Sequence, residues 1–536
     1  MSSPRFNAGL TAVVNRSDQA GGTLRLARTS DFDSLDPGNT YYAFAWNFLR
    51  LIGRSLVTFA PAPGAGGKQL VPDLARTLGV PSDDGATWTY RLRPGVRYED
   101  GTEVTAHDVR YAIERSNFAP QLRTGGPMYF RQYLTGIDAV QVPDRYTLIF
   151  RLREPFAGFD HLATLPSTIP VPQDRDTGPA YADRPLATGP YRVDRYQRGT
   201  RLELVRNEHW DAATDPVRHA RPDRIVADLG LGPQEVDDRL LDGSSDVDLA
   251  GVGVQPGTLE KILADPVLTG RADNPFNGFT WMFAMSAQVH PFGDRRCRQA
   301  VQFAADKLAM RAAYGGPLAG DLAGTLLPPT IDGHQDFDLY PGGPAGLGRA
   351  RALLAEAGLP DGFRTRIAAR EDRRKEFAAA LALSTSLARV GIEAEVVPFQ
   401  SGDYFEKYAG VPDYVHEQGL GIVMFGWGAD FPDGFGFLHQ IVHGTAIKKS
   451  GNHNFGELDR PELNDLLESA ARTADPQVRA RSWARVDRLV MEDASICPYL
   501  HAKSLLYRGP RTGNVYVSGA YGMYDYVSLS VQDPRP

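Results

Sequence analysis

Apolar and polar residues alternate with a period of two from Thr23 to Ala27, directly after Gly22, which predicts a half-buried strand. The acidic turn DFDSLDPG follows, and then an apolar stretch predicts a helix from about Ala43 to Leu56. PAPGAGGK, residues 61–68, is a loop by composition. Residues 87–98 read as a hairpin, with Trp88, Tyr90 and Leu92 on one face and Pro94-Gly95 at the turn. Thr105 and Asp108 have capping-box spacing, and Val109, Ala112 and Ile113 supply the buried stripe of the helix they open. A strand over 146–152 and a second hairpin, 191–193 with 201–205 turning at Gly199, follow.

Helical spacing dominates the second half. Residues 300–314, 349–357 and 376–390 each carry apolar residues three and four apart. The last of these runs through Gly391 into a strand over 392–397, an α-to-β unit with a glycine stop. Asp475-Pro476 has N-cap and N1 chemistry for a helix packing Val478, Val486, Leu489 and Val490. This mixture indicates an α/β class. With 536 residues, the chain is too long for one core, so two or three lobes are expected.

Composition mainly excludes. Hydrophobic content of 42% and charged content of 23% are those of an ordinary soluble globular chain. A net charge of −7 with interspersed signs and no basic run argues against nucleic acid as a partner. No stretch approaches the roughly 18–20 continuous apolar residues of a membrane span. The start, MSSPRFNAGLTAVVN, is a poor signal peptide, and residues 1–20 read as a flexible lead-in. Two cysteines, Cys297 and Cys497, rule out a disulfide framework; two buried thiols or one long-range bridge remain.

The common catalytic signatures are missing: there is no Gly-x-Ser-x-Gly elbow, Walker A loop or His-Glu-x-x-His. His439 and His443 in HQIVH share a helical face, but the adjacent Gln440 is no general base, so a structural role outweighs zinc. The most informative run is Phe425-Gly-Trp-Gly-Ala-Asp-Phe-Pro-Asp433. It joins a flexible backbone at Gly426 and Gly428, a flat apolar face at Trp427 and a carboxylate at Asp430. An indole beside an anion suits a cationic amine with an apolar stem. The plain alternative is a loop with a packed tryptophan and a solvated aspartate.

Several stretches together resemble the peptide/nickel-type family of ABC-importer binding proteins, the dipeptide and oligopeptide binders. GGTLRLA with SLDPG resembles their mature start, and WTYRLRPGVRYEDGTEVTAHDVRYAIER their most characteristic segment. ATGPYRV with LELVRNEHW, PFGDRRCRQAVQFAADK and GWGADFPD are similar to three further landmarks, and all five stand in family order from about Gly21 to Tyr499. Arg-, Ala- and Gly-rich usage suggests an actinobacterial member.

The resemblance implies a periplasmic-binding-protein-like, two-lobed (Venus flytrap) α/β fold with an extra subdomain, three domains in all. Domain I would comprise 21–58, 188–285 and 500–536, domain II 59–187 and domain III 286–499, with hinge crossings near 285 and 499. It further implies capture of an oligopeptide or related amine-bearing solute between the lobes, no cofactor, no catalysis, a monomer, and delivery to ABC transporter permease subunits. The place of work would be extracytoplasmic and cell-surface associated, with a leader and its lipid-accepting cysteine removed from the start. Asp430 matches the family carboxylate that pairs with a peptide α-ammonium, and Trp427 its neighbouring wall, between Gly426 and Gly428. Tyr41, Tyr42 and Ala43 follow the turn where relatives lend strand-like backbone hydrogen bonds, and Trp281 is a further cleft candidate. No Arg, Lys or His is placed by motif to bind a ligand carboxylate. A non-peptide metabolite, a sensor role and a hydrolase using the same cleft are the alternatives.

Overall fold

A computed structural model describes residues 5–118 and 136–532. The chain divides into two compact units, one formed by Met1–Pro275 with Ser504–Pro536 and the other by Phe276–Lys503.

The first unit is built on a five-stranded sheet whose order is Val247–Asp248, Thr23–Ala27, Arg224–Asp228, Arg201–Arg206, Tyr191–Gln197. The first three strands are mutually parallel and the last two form the predicted hairpin, turning at Gly199 with φ 74°. Leu24, Leu26, Leu202, Leu204 and Ile225 alternate inward onto the helix Ala43–Leu49 and the C-terminal segment. That helix ends seven residues earlier than its apolar run predicts, and the chain continues as the short strand Val57–Phe59. The apolar residues beyond Leu49 are buried by tertiary packing, so hydrophobicity persisted where helical geometry did not.

A four-stranded antiparallel sheet in the same unit runs Val80–Ser82, Thr87–Arg91, Thr147–Leu152, Ile137–Asp144. Here the hairpin expected over 87–98 is replaced. Thr87–Arg91 pairs with Thr147–Leu152 and Val80–Ser82, while Pro94-Gly95 lies in a separate turn. Trp88, Tyr90 and Leu92 are buried as the alternation requires. Asp108 accepts hydrogen bonds from the Thr105 amide (2.8 Å) and hydroxyl (3.0 Å), half of a capping box on the helix Ala106–Phe118.

Residues 5–20 differ from the flexible lead-in that composition predicted; residues 1–4 of it lie outside the described residues. The Gly9 amide donates to Asp273 (2.8 Å), Val14 bridges to Val515, and the Ser17 amide donates to Asn514 (3.0 Å). Asp273 also holds Arg508 and the Tyr524 hydroxyl. Sparse apolar content is no measure of order when the backbone finds buried acceptors.

The second unit carries a six-stranded mixed sheet in the order Gly320–Leu322, Ile496–Lys503, Phe276–Met285, Ile422–Gly428, Arg364–Arg370, Glu393–Phe399. Phe276–Met285 is hydrogen-bonded along both edges, to Ile422–Gly428 and Ile496–Lys503. That pairing fixes it in this unit, so the chain crosses at 275/276 and 503/504 rather than near 285 and 499. The apolar run over 300–314 is two helices, Arg295–Ala304 and Lys307–Tyr314, because Asp306 breaks it and caps the second through the Ala309 amide. Asp475 caps Pro476–Asp493 through the amides of Gln477 and Val478. Val486 and Val490 are buried along it, whereas Val478, expected to pack, is 40% exposed in the first turn. Cys297 and Cys497 are both buried and unpaired, and burial pushes each thiol up to about 11.

Candidate functional site

In the second unit the informative loop follows the strand Ile422–Gly428. This strand is parallel to Arg364–Arg370, and both end at the same sheet edge. Ligands of open α/β sheets sit outside the carboxyl ends of such strands. The register with Phe276–Met285 explains both glycines. Gly426 lies opposite Trp281 and Gly428 opposite Phe279. A Cβ at Gly426 would stand 2.9–3.0 Å from the Trp281 ring, and one at Gly428 would stand 3.0–3.2 Å from the Phe279 ring. The aromatic rings therefore lie across bare backbone, covering what the missing side chains leave open.

Trp427 is paired with Thr280 instead, so its side chain leaves the face opposite to that of Trp281. Both tryptophans are half-buried at one end of the sheet, but they do not form one wall. Trp281 packs against Tyr314, with ring centroids 5.1 Å apart. The Trp427 indole donates to the Phe437 carbonyl (2.8 Å), and its ring lies 5.2 Å from His453. Its polar edge is thus satisfied inside the unit. Burial, with help from Lys448, pushes His453 down to about 4 and keeps it neutral beside the indole.

The two aspartates of the loop have different surroundings. Asp433 caps the helix Gly434–Val442 through the Phe435 amide (2.8 Å) and pairs with Arg479 (3.3 Å). Asp430 caps no helix and is half-buried in the bend just past the strand end. At the same edge Arg370 is closed off by Glu376, which faces its guanidinium with both carboxylate oxygens. His439 and His443 stack at 4.7 Å, and no group of three or more possible metal ligands occurs among the described residues.

In the first unit Tyr41, Tyr42 and Ala43 lead into the helix Ala43–Leu49. The Tyr41 amide donates to Asp33 (2.6 Å) and the Tyr42 carbonyl accepts from the Trp46 amide (3.0 Å), so these two backbone groups are already engaged. The Tyr42 ring is 54% exposed and stacks on Phe44 at 5.9 Å. Arg28, directly after the strand Thr23–Ala27, places its guanidinium 3.5 Å from the centroid of Phe44.

Sequence reasoning missed Phe279. Alternation in FTWMFAM carried a signal for Phe279, which is 44% exposed at the strand end. His453 and Arg28 stand in no motif and gain their surroundings only through tertiary packing.

Comparison with known proteins places the arrangement. The model of the bacterial extracellular solute-binding proteins, family 5, matches residues 69–449, well over half of the chain. The chain belongs to this family. Among similar proteins, heme-binding protein A of Haemophilus influenzae is 26% identical over 493 residues, covering 87% of this chain and 85% of that protein. Di/tripeptide-binding protein 1 of Pseudomonas aeruginosa is also 26% identical, covering 87% of each. A solved structure of clavulanic acid biosynthesis oligopeptide binding protein 2 is 44% identical, with TM-score 0.95 and 99% coverage of both chains. The fold is therefore that of the periplasmic binding proteins, as the resemblance implied. No helix among the described residues is long and apolar enough to cross a membrane.

Proposed function

We propose that this family 5 protein captures oligopeptides or related small amine-bearing solutes and delivers them to the permease subunits of an ABC importer. Asp430 pairs with the solute ammonium and the face of Trp427 flanks it. The observation that carries this reading is the position of Asp430: half-buried, just past the carboxyl end of a strand in a parallel pair, three residues after an indole whose polar edge is already bonded. The 44% identity to an oligopeptide binding protein supports it. Terminal charges and backbone groups are common to all peptides, so they supply affinity without selecting side chains. A hydrogen bond to a charged group contributes about 1.5–3 kcal/mol, a large part of the roughly 8 kcal/mol that micromolar binding requires. Hinge closure on the solute is the population shift expected of the architecture. We further propose that segment 59–187, which contains its own sheet, is the extra subdomain, and that the protein works at the outer cell surface without catalysing a reaction.

Calorimetry with trialanine and N-acetyl-trialanine tests the central assignment. Asp430→Asn is expected to weaken trialanine by about tenfold or more and to leave the acetylated peptide nearly unchanged. Equal losses for the two peptides would remove the role given to Asp430.

A further inference from the structure

Asn277-Gly278 is the only Asn-Gly pair in the chain, and it lies just past the 275/276 crossing, in the strand Phe276–Met285. The ladder is broken there. Phe276 pairs with Lys503 and Thr280 with His501, so four steps (276 to 280) oppose two (503 to 501). Among the described residues neither Asn277 nor Gly278 stands in that register, or in the register with Ile422–Gly428, which begins at Phe279. Surplus residues of this kind bulge out of a sheet and leave the ladder. Gly278 makes the bend with φ 84°, a left-handed conformation that suits glycine.

The Asn277 side chain turns onto the backbone that follows it. Its Oδ1 accepts from the Phe279 amide (3.1 Å), an Asx turn that curls the side-chain amide over the Gly278 peptide. Asn277 Cγ and the Gly278 nitrogen, the two atoms that would close a five-membered ring, are thus held within one turn. The Phe279 N–H lies on the oxygen where negative charge develops when that nitrogen attacks. Gly278 has no side chain to crowd its nitrogen, and a Cβ built there would meet only the Thr330 hydroxyl, at 4.0 Å. Both residues are partly exposed to solvent.

Other asparagines lack these features. Asn454 is buried, its amide donates to the His443 and Leu458 carbonyls, and bulky Phe455 follows it. Asn514 donates to the Ser17 carbonyl (2.7 Å) and precedes the β-branched Val515.

We infer that Asn277 is a site of spontaneous modification, closing on Gly278 to a succinimide that water opens to aspartate and isoaspartate. Solvent base takes the Gly278 amide proton, and the nitrogen forms a bond to Asn277 Cγ. The Cγ–Nδ2 bond breaks, and Nδ2 takes a proton from water and leaves as ammonia. Water then adds to one of the two ring carbonyls and breaks its bond to the ring nitrogen. Opening at Cγ leaves an aspartate; opening at the main-chain carbonyl leaves an isoaspartate, whose backbone is longer by one carbon. Either product adds a carboxylate two residues before Phe279, whose partner Gly428 leads into the loop of Asp430.

The test incubates the full chain in mildly alkaline buffer and, in parallel, in the same buffer with guanidinium chloride. Peptide mapping by mass spectrometry, with fragmentation that separates isoaspartate from aspartate, follows residue 277 over time. The native chain is expected to convert at Asn277 no more slowly than the unfolded chain, with isoaspartate among the products. Asn454 and Asn514 are expected to stay intact in the native chain over the same interval. Gly278→Ala, with a methyl beside the attacking nitrogen, and Asn277→Gln, whose ring would be six-membered, are expected to lose the isoaspartate signal. A native rate below that of the unfolded chain, or no conversion, overturns the inference, because the fold would then protect the pair. Aspartate without isoaspartate also overturns it, since direct attack of water on the side-chain amide passes through no ring. Should Gly278→Ala misfold, Asn277→Gln and the wild-type comparison decide.

Discussion

Single side chains in the second unit are tuned more by burial than by charge partners. His439 is the clearest case: burial first, then His443 and Lys448, push it down to about 3. His501, also buried, is pushed down to about 3, and His453 to about 4. Above pH 6.5 each is neutral in both folded and unfolded chains, and none affects stability. Below 6.5 the unfolded chain takes up protons that the native state refuses, so acidification destabilises the fold by about 1.4 kcal/mol per pH unit for each histidine. Asp487 works the other way. Burial raises it to about 6, so between pH 6 and about 4 the native state holds a proton that the unfolded chain lacks. Three histidines outweigh one aspartate. His439→Phe is expected to flatten the acid limb by about 1.4 kcal/mol per pH unit between pH 6 and 4, read from urea midpoints across pH. An unchanged limb would mean that His439 is hydrated in solution.

At the scale of elements, the strand pair carrying the site is set by glycine and aromatic complementarity. The alternation Phe279, Trp281, Phe283, Met285 meets Gly428, Gly426, Met424, Ile422, large against small at the site end and large against large in the core. Gly426→Ala forces its new methyl into the Trp281 ring and is expected to destabilise the protein by about 1–3 kcal/mol. Combining it with Trp281→Ala should recover part of that loss, because the two changes share one clash. Strictly additive urea midpoints would show that the ring does not lie over Gly426. The same register separates the two tryptophans: a neighbour in sequence order is not a neighbour on a face, since successive strand residues point to opposite sides.

On the scale of the whole molecule, the first unit gathers distant segments around buried charge. Arg54 and Arg218 both bond to Asp73, and Arg218 also pairs with Asp215, all four buried. Removing one partner strands the remaining charges, so Asp73→Ala is expected to cost about 3–5 kcal/mol, measured by equilibrium denaturation. A loss below 1 kcal/mol would mean that water reaches the cluster. The lead-in is drawn into the same unit through Asp273, which binds Gly9, Arg508 and Tyr524 from three remote stretches. Nothing in the local composition of residues 5–20 announces that order.

Period, caps and turn chemistry were legible in the sequence because they depend on residues within a few positions of one another. Thr105 with Asp108, Asp475-Pro476, the Gly199 hairpin and the Gly391 stop all stand where local rules put them. The family landmarks likewise carried the α/β class and the solute-binding role. Other features depend on partners that no local pattern names: the pairing of Thr87–Arg91 with Thr147–Leu152, the crossings at 275 and 503, and the indole of Trp427 against Phe437 and His453. Local pattern determines which elements form and which faces are apolar. Only tertiary packing decides which strand fills each edge, and which charged groups meet in the interior.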